Sequence, residues 1–369
     1  MKRWRRLLTP AIWVFYVAIV LEILFMISPF ALYFYSFYGP TLNVLHLSPW
    51  TSWLTGFFLP HFSYTTSPVL GYVKAVAGIL ILSGLIGFAI AFVQIYWAKL
   101  VRKGAVTSGF YRWVRHPQYV ALAVLGLGTL LLWPRFTVLL MYVTMLYLYT
   151  YLARHEEELC LERFGDEYRS YHDRTGRFLP PGVEKYLPRA KSGRGAVPSL
   201  TAWLVVAVAA VAFGFLVRDY SLSQVTGVYE ERTAVLSPAL LSHEQLMGAW
   251  AVTQTAPTVE KTLGGDQSSR WVAYVLPETW HLADLPAEPY RSGSGGHQTP
   301  ADYHPDRFKV LLTRARTHSP ASTGVDIVRR AYGREPQLLV HVDLGEQRVE
   351  RVDTAPAHVV WGDIPTPMF

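Results

Sequence analysis

The sequence predicts an all-α polytopic membrane helical bundle of about five transmembrane helices, followed by a C-terminal soluble α+β domain. Three observations predict it. The apolar residues are clustered: no Lys or Arg occurs from Leu7 to Val73, Ala75 to Ala98 is 24 residues without a charge, and Leu200 to Val217 is 18. Uncharged apolar runs of about 18 or more residues are long enough to cross the hydrocarbon layer as helices. The net charge of +7 is also split. Residues 1–217 carry 20 Lys+Arg against 9 Asp+Glu (+11), and residues 218–369 carry 14 against 18 (−4). Finally, the last 150 or so residues lose the long apolar runs and show short strand-like stretches between turn residues.

Five spanning segments follow in order: about 11–36, 69–98, 118–133, 136–153 and 198–217. The start, Met-Lys-Arg-Trp-Arg-Arg, imitates a signal peptide. Its apolar run extends to about Tyr38 without a small-x-small cleavage site, which favours a retained first helix. Residues 40–68 hold Pro40, Pro49, Pro60 and Pro68 among Trp50, Trp53, Phe57 and Phe58. That composition suits an interfacial or re-entrant segment. The third and fourth spans meet at Trp133-Pro134-Arg135, a turn that makes them an antiparallel hairpin. In the tail, Ser237 to Gly248 reads as a capped helix closed by Gly248. Trp271–Leu276 and Phe308–Leu312 read as strands, 337–344 and 347–352 as a hairpin across Gly345-Glu346, and Ser292–Gly296 as a flexible loop.

Lys and Arg distribution orients this chain. Lys2, Arg3, Arg5 and Arg6, then Lys99, Arg102, Lys103, Arg112 and Arg115, then the basic loop within 154–197, all fall on one side. By the positive-inside rule that side is cytoplasmic and the tail is extracytoplasmic. The expected division is therefore a membrane domain, 1–217, and an extracytoplasmic domain, 218–369, with an envelope partner as one role for the latter. Because the basic half is the membrane half, the charge points to lipid headgroups and not to nucleic acid. A single cysteine, Cys160, excludes an intrachain disulfide and a cysteine-rich zinc site. The tail histidines show no ligand spacing, so no metal is expected. Arg outnumbers Lys 26 to 8, a bias consistent with a prokaryotic membrane.

Two charged blocks stand out. Gly109-Phe-Tyr-Arg-Trp-Val-Arg-His-Pro-Gln-Tyr119 precedes the third span, and Arg154 to Tyr171 follows the fourth. The hairpin between them returns both to one membrane face. Pro117 suits the first turn of a helix, where no amide donor is lost. Arg115 can grip a carboxylate or phosphate bidentately, and His116 and Tyr119 can hydrogen-bond or stack on a ring. Arg, Tyr and Trp also serve as plain interfacial anchors. Glu156, Glu157 and Glu158 oppose the basic pattern around them. A bound cation would explain them, as would a solvated helix face carrying an Arg154–Glu158 pair. Gly126-Leu-Gly128 has no strand before it and is no dinucleotide fingerprint. Glu22, in mid-span, is a candidate by its depth alone.

Taken together, Gly-x-Tyr-x-x-x-Arg-His-Pro-x-Tyr (Gly109, Tyr111, Arg115, His116, Pro117, Tyr119), Arg-x-Glu-Glu (Arg154, Glu156, Glu157), Phe-Gly-x-x-Tyr-x-x-Tyr (Phe164, Gly165, Tyr168, Tyr171) and Arg-Phe-x-Pro (Arg177, Phe178, Pro180) resemble the isoprenylcysteine carboxyl methyltransferase family. That family is grouped with the membrane phospholipid methyltransferases. The resemblance covers about 70–182 and departs at Cys160, where the family usually has Leu. It implies a cytosol-facing S-adenosylmethionine site held by Tyr111, His116, Pro117, Tyr119, Glu156, Glu157 and Tyr168. It also implies a lipophilic acceptor, a carboxylate or amine of an isoprenoid or lipid, oriented by Arg115. A carboxylate acceptor is already ionised and needs no base. Two other readings stay open. One is an NADPH-dependent membrane reductase, although no basic residue is placed for a 2′-phosphate. The other is a non-catalytic membrane anchor with an envelope-sensing tail.

Overall fold

The computed structural model describes Val17 and residues 39–61, 63–101, 105–184, 200–265, 267–280 and 303–355. Of the expected first span, 11–36, only Val17 is described, and Glu22 and the Ser292–Gly296 loop lie outside the described residues. Along the chain come α1 (Gly39–Leu47), a 3-10 turn (Ser52–Thr55), α2 (Pro68–Leu100), a second 3-10 turn (Gly109–Arg112), α3 (Pro117–Leu132), α4 (Phe136–Arg174), the single turn α5 (Pro181–Glu184) and α6 (Leu200–Ser223). Among the described residues three helices, α2, α4 and α6, are long and apolar enough to cross a membrane. α3 has 16 residues, a length of about 24 Å at 1.5 Å per residue. The described residues thus carry three candidate spans and one shorter apolar helix where five spans were expected.

The chain divides into two compact units. One comprises 1–36, 75–130 and 138–210, and the other 37–74, 131–137 and 211–369. In the first, α2 leaves Ile79, Leu82, Leu85, Ile86, Ile90 and Val93 exposed. A continuous apolar surface of that kind is unfavourable in water and suits lipid tails. α2 and α3 touch backbone to backbone through glycines. A Cβ on Gly84 would lie 2.7 Å from the Ala121 carbonyl oxygen, and one on Gly128 2.8 Å from that of Ala77. Gly126, beside it, faces Met145 and Tyr142 of α4. The Gly-Leu-Gly pair is therefore a packing device of the kind that lets membrane helices approach closely. α4 is 39 residues long and bends at Gly165, whose φ of 56° and ψ of −130° no ordinary helical residue adopts. Its apolar stretch, Phe136 to Ala153, is about 27 Å long, and the charged residues 154–174 continue the helix beyond it.

The second unit holds a six-stranded sheet in the order of the sequence: β1 (Thr226–Tyr229), β2 (Thr233–Ser237), β3 (Arg270–Pro277), β4 (Arg307–Thr317), β5 (Ala331–Asp343) and β6 (Arg348–Thr354). β2 and β3 are parallel and every other pair is antiparallel. A parallel pair needs a crossover, which α7 (His243–Gln254) and α8 (Pro257–Gly265) provide; α9 (Val325–Arg330) joins β4 to β5. Leu236, Leu246, Trp250, Val272, Phe308 and Val340 are among the fully buried core residues. The strands at 271–276 and 308–312 and the 337–352 hairpin fall where the pattern placed them. The capped helix does not end at Gly248. Ser242 is its N-cap, in a capping box with Gln245, and the helix runs on to Gln254. A Cβ at Gly248 would sit in ordinary contact with Leu344, 3.5 Å away. The missing side chain therefore serves no turn.

Residues 56–61 and 63–67 form a strap in this unit. Tyr64 N–H donates to the Pro238 carbonyl (2.7 Å), Thr66 N–H to that of Gln224 (2.9 Å) and Phe58 N–H to that of Pro134 (2.9 Å). The prolines that spoil regular structure here leave backbone groups that bond singly to neighbours.

Candidate functional site

The two charged blocks meet through a short backbone pairing. Arg115 N–H donates to the Gly176 carbonyl (2.9 Å) and His116 N–H to that of Arg177 (3.1 Å). Gly176 has no room for a side chain, because a Cβ there would overlap the Leu179 carbonyl oxygen. Glu184, on α5, ties down the same stretch by accepting from Arg177 N–H at 3.0 and 3.1 Å. From the other side, the Tyr171 hydroxyl donates to the Tyr111 carbonyl at 2.6 Å. α3 then starts on Pro117, as expected for a residue lacking an amide donor.

Glu157 is the centre of this arrangement and is 3% exposed. Its carboxylate accepts from Arg115 Nε (2.7 Å), Arg177 Nη2 (2.6 Å) and His116 Nε2 (3.2 Å), with His172 Nε2 at 3.7 Å. Arg115 Nη1 also donates to the carbonyls of His172 (2.7 Å) and Thr175. The guanidinium thus binds the turn after α4 as well as the carboxylate. Burial alone would raise the Glu157 pKa, but hydrogen bonds from His116, His172 and Arg177 and the charge of Arg115 hold it well below the usual carboxylate range.

Glu156 is its counterpart at the surface, with a side chain 46% exposed. It receives His116 Nδ1 at 3.3 Å and the Tyr119 hydroxyl. His116 therefore spans the two carboxylates, one ring nitrogen to each. Burial opposes a charge on this imidazole, yet the hydrogen bonds to Glu156 and Glu157 outweigh it and raise the pKa above 6.5. The Tyr119 ring stacks on that of Tyr149 (centroids 4.7 Å apart). The Tyr149 hydroxyl is buried and has no hydrogen-bond partner among the described residues.

Of the residues singled out in the sequence, Arg115, His116, Pro117, Tyr119, Glu156 and Glu157 come together. Tyr111 and Tyr168 pack beside them. Tyr111 is buried, with its hydroxyl 3.5 Å from the Ala91 carbonyl. Tyr168 is buried, with its ring 5.6 Å from that of Tyr171. The structure adds Arg177, His172, Glu184 and Tyr149. Arg177 was visible in the Arg-Phe-x-Pro motif. Tyr149 lies within an apolar run and has no local signal. A group of three or more metal-ligating side chains is absent among the described residues. A half-exposed carboxylate flanked by aromatic faces at the end of an apolar stretch can hold a cationic, ring-bearing ligand.

Comparison with curated proteins and with solved structures returned no match. Residues 76–162 match the model of the isoprenylcysteine carboxyl methyltransferase (ICMT) family, a stretch running from α2 through the Glu156-Glu157 pair. The match supports a methyltransferase embedded in a membrane, in keeping with the apolar helices. Over residues 76–162, then, the chain is similar to the isoprenylcysteine carboxyl methyltransferase family.

Proposed function

We propose that residues 109–184 bind S-adenosylmethionine, and that the protein transfers its methyl group to the carboxylate or amine of a lipophilic isoprenoid or lipid. The observation that carries this reading is Glu156. It is half-exposed, held by His116 and Tyr119, and stands beside the Tyr119–Tyr149 stack where the apolar part of α4 ends. The donor set fits such a cofactor. A carboxylate pairs with its ammonium group or accepts from its ribose hydroxyls, aromatic faces suit adenine and a sulfonium, and the partnerless Tyr149 hydroxyl supplies a further polar contact. When bound, the cofactor supplies an electrophilic methyl group.

The chain's own task is positioning. Transfer needs acceptor and sulfonium in line, and orientation can contribute about 7–11 kcal/mol. Glu156 and Tyr119 are the proposed first contacts. Glu157 acts through the groups it fixes, namely His116 and both arginines. Arg115 is proposed to orient an anionic acceptor by its charge, held in place by Glu157 and two carbonyls. Pro117, Tyr111 and Tyr168 set the backbone and the wall behind these groups. The site lies where α3 starts and the apolar stretch of α4 ends, so the acceptor is proposed to enter from the bilayer.

The test is calorimetric titration of S-adenosylmethionine into detergent-solubilised protein, wild type, Glu156→Gln and Tyr119→Phe. Hydrogen bonds to a charged group contribute about 1.5–3 kcal/mol, so each variant should weaken binding about tenfold or more while melting stays within a few degrees. A folded wild-type protein that binds no S-adenosylmethionine would end this reading.

A further inference from the structure

The second unit gathers arginines where the neighbouring carboxylates are already paired with other arginines. Arg334 is on β5, opposite Ala315 of β4. Its Nε and Nη2 are shielded from water and have no hydrogen-bond partner among the described residues. β5 packs against α1 and the 3-10 turn after it. There His46 bonds to Thr55 (Nδ1 to Oγ1, 3.2 Å), and the fully buried Arg135 donates from Nη1 to the Thr55 carbonyl at 2.6 Å. Burial and then the charges of Arg334, Arg135 and Arg316 push the His46 pKa below 6.5. Arg218, near the end of α6, is acted on by Arg334 as well.

The neighbouring carboxylates are already engaged. Glu335 pairs with Arg314 (2.6 Å) and Arg316, and Asp219 with Arg329 (3.4 Å). A guanidinium removed from water without a partner is costly to keep, and crowding it with like charges adds to the cost. An anion at this place would remove both penalties. Guanidinium groups match phosphate oxygens in geometry as well as charge. The setting favours a headgroup as the source of that phosphate. Arg218 directly follows the apolar run Leu200–Val217. Around His46, Val44, Leu47 and Trp50 are 69%, 74% and 83% exposed, a set of apolar and aromatic side chains suited to a membrane surface.

We propose that Arg334, on the strand that packs against α1 and the Arg135-bonded turn after it, forms a binding site for a phosphate group, carried by an anionic lipid headgroup, in the unit that contains the sheet, with Arg218 and Arg135 adding to its positive field. The site is built from residues outside the family match at 76–162, apart from Arg135 in the hairpin turn. It is independent of the methyl-transfer reading.

The experiment uses full-length protein in detergent, as wild type, Arg334→Gln and Arg334→Leu. The leucine variant removes the charge without leaving a buried polar atom, so it folds even if the glutamine variant does not. Each protein is titrated with phosphatidic acid and with phosphatidylcholine, counting retained lipid by native mass spectrometry, and with inorganic phosphate, following thermal unfolding. The expected result is phosphatidic acid retained at least tenfold more strongly than phosphatidylcholine by wild type, with that preference lost in both variants. Stabilisation of wild type alone by inorganic phosphate, without lipid preference, would keep the phosphate site and overturn the headgroup as its source. Equal retention and equal phosphate response in wild type and variants would overturn the site altogether.

Discussion

Arg177 and Glu157 stand on opposite sides of the bend at Gly165, and their side chains meet with Arg177 Nη2 2.6 Å from Glu157 Oε2. That contact turns the segment after α4 back onto α4 itself. It completes the set of cations around a carboxylate that is 3% exposed. Arg115 and His116 reach the same carboxylate from the stretch before α3, so a single acidic group holds three separate parts of the chain.

Arg177→Ala should therefore destabilise the protein beyond the loss of one surface pair. Breaking a buried ion pair costs about 3–5 kcal/mol. With Arg177 itself 24% exposed, the lower end of that range is expected, about 3 kcal/mol. Thermal unfolding in detergent should show a drop of several degrees, and the proposed methyl transfer should fall with it. Arg177→Lys should restore part of the stability and little of the activity, because a point charge cannot reproduce the fork. A melting curve identical to wild type would remove Glu157 from its central place.

Gly176→Ala should damage the site without touching any charged group. Its Cβ would collide with the Leu179 carbonyl oxygen and crowd Glu184, so residues 175–179 must shift. Overpacking of this kind costs about 1–3 kcal/mol. The backbone bonds from Arg115 and His116 to residues 176 and 177 should weaken with it. Faster amide exchange at Arg115 and His116 is the direct readout, and unchanged exchange would refute the pairing.

The site should have a stability plateau in pH. His116 has a folded pKa above 6.5, so its contribution is complete below pH 6.5 and is lost as pH rises through the raised folded value. Glu157 has a folded pKa below 4.5, so its contribution is complete above pH 4.5 and is lost as pH falls toward the depressed folded value. Melting temperature measured from about pH 3 to about pH 9 should decline on both sides of this window. His116→Gln should flatten the alkaline limb and also reduce the acid limb, because the hydrogen bond from His116 is one of those that hold the Glu157 pKa down.

The contact between α2 and α3 depends on two small positions. Gly128→Val would drive a branched side chain into Ala77 and Ile81, where even a Cβ lies 2.8 Å from backbone atoms. A loss of about 2 kcal/mol or more is expected, from forced separation of the helices. Gly71→Ala, where nothing lies within 4 Å of the added carbon, serves as the control and should leave melting unchanged.

Much of this was legible locally. Charge-free runs marked α2 and α6. Pro117 marked the start of α3, and alternation marked β3, β4 and the β5–β6 hairpin. β1 and β2 were not foreseen, because they are four and five residues long and turn through Glu230-Glu231-Arg232 without glycine or proline. The helix near Gly248 was cut short because glycine was read as a terminator. Inside the protein Ser242 caps the start, and packing carries the helix on to Gln254.

The sequence by itself determined where α2, α3, α4 and α6 lie and which two charged blocks stand out, since hydropathy, helix starts and motif spacing are properties of neighbouring residues. Tertiary structure alone decided how the two glutamates divide their work. Adjacent on α4 and alike in sequence, Glu157 faces inward to two arginines and His116, while Glu156 remains half-exposed with His116 and Tyr119. Successive positions on a helix point about 100° apart, and which of the two meets the strand-like stretch at 115–116 depends on the hairpin and on the bend at Gly165. Those are long-range geometries that no local pattern encodes.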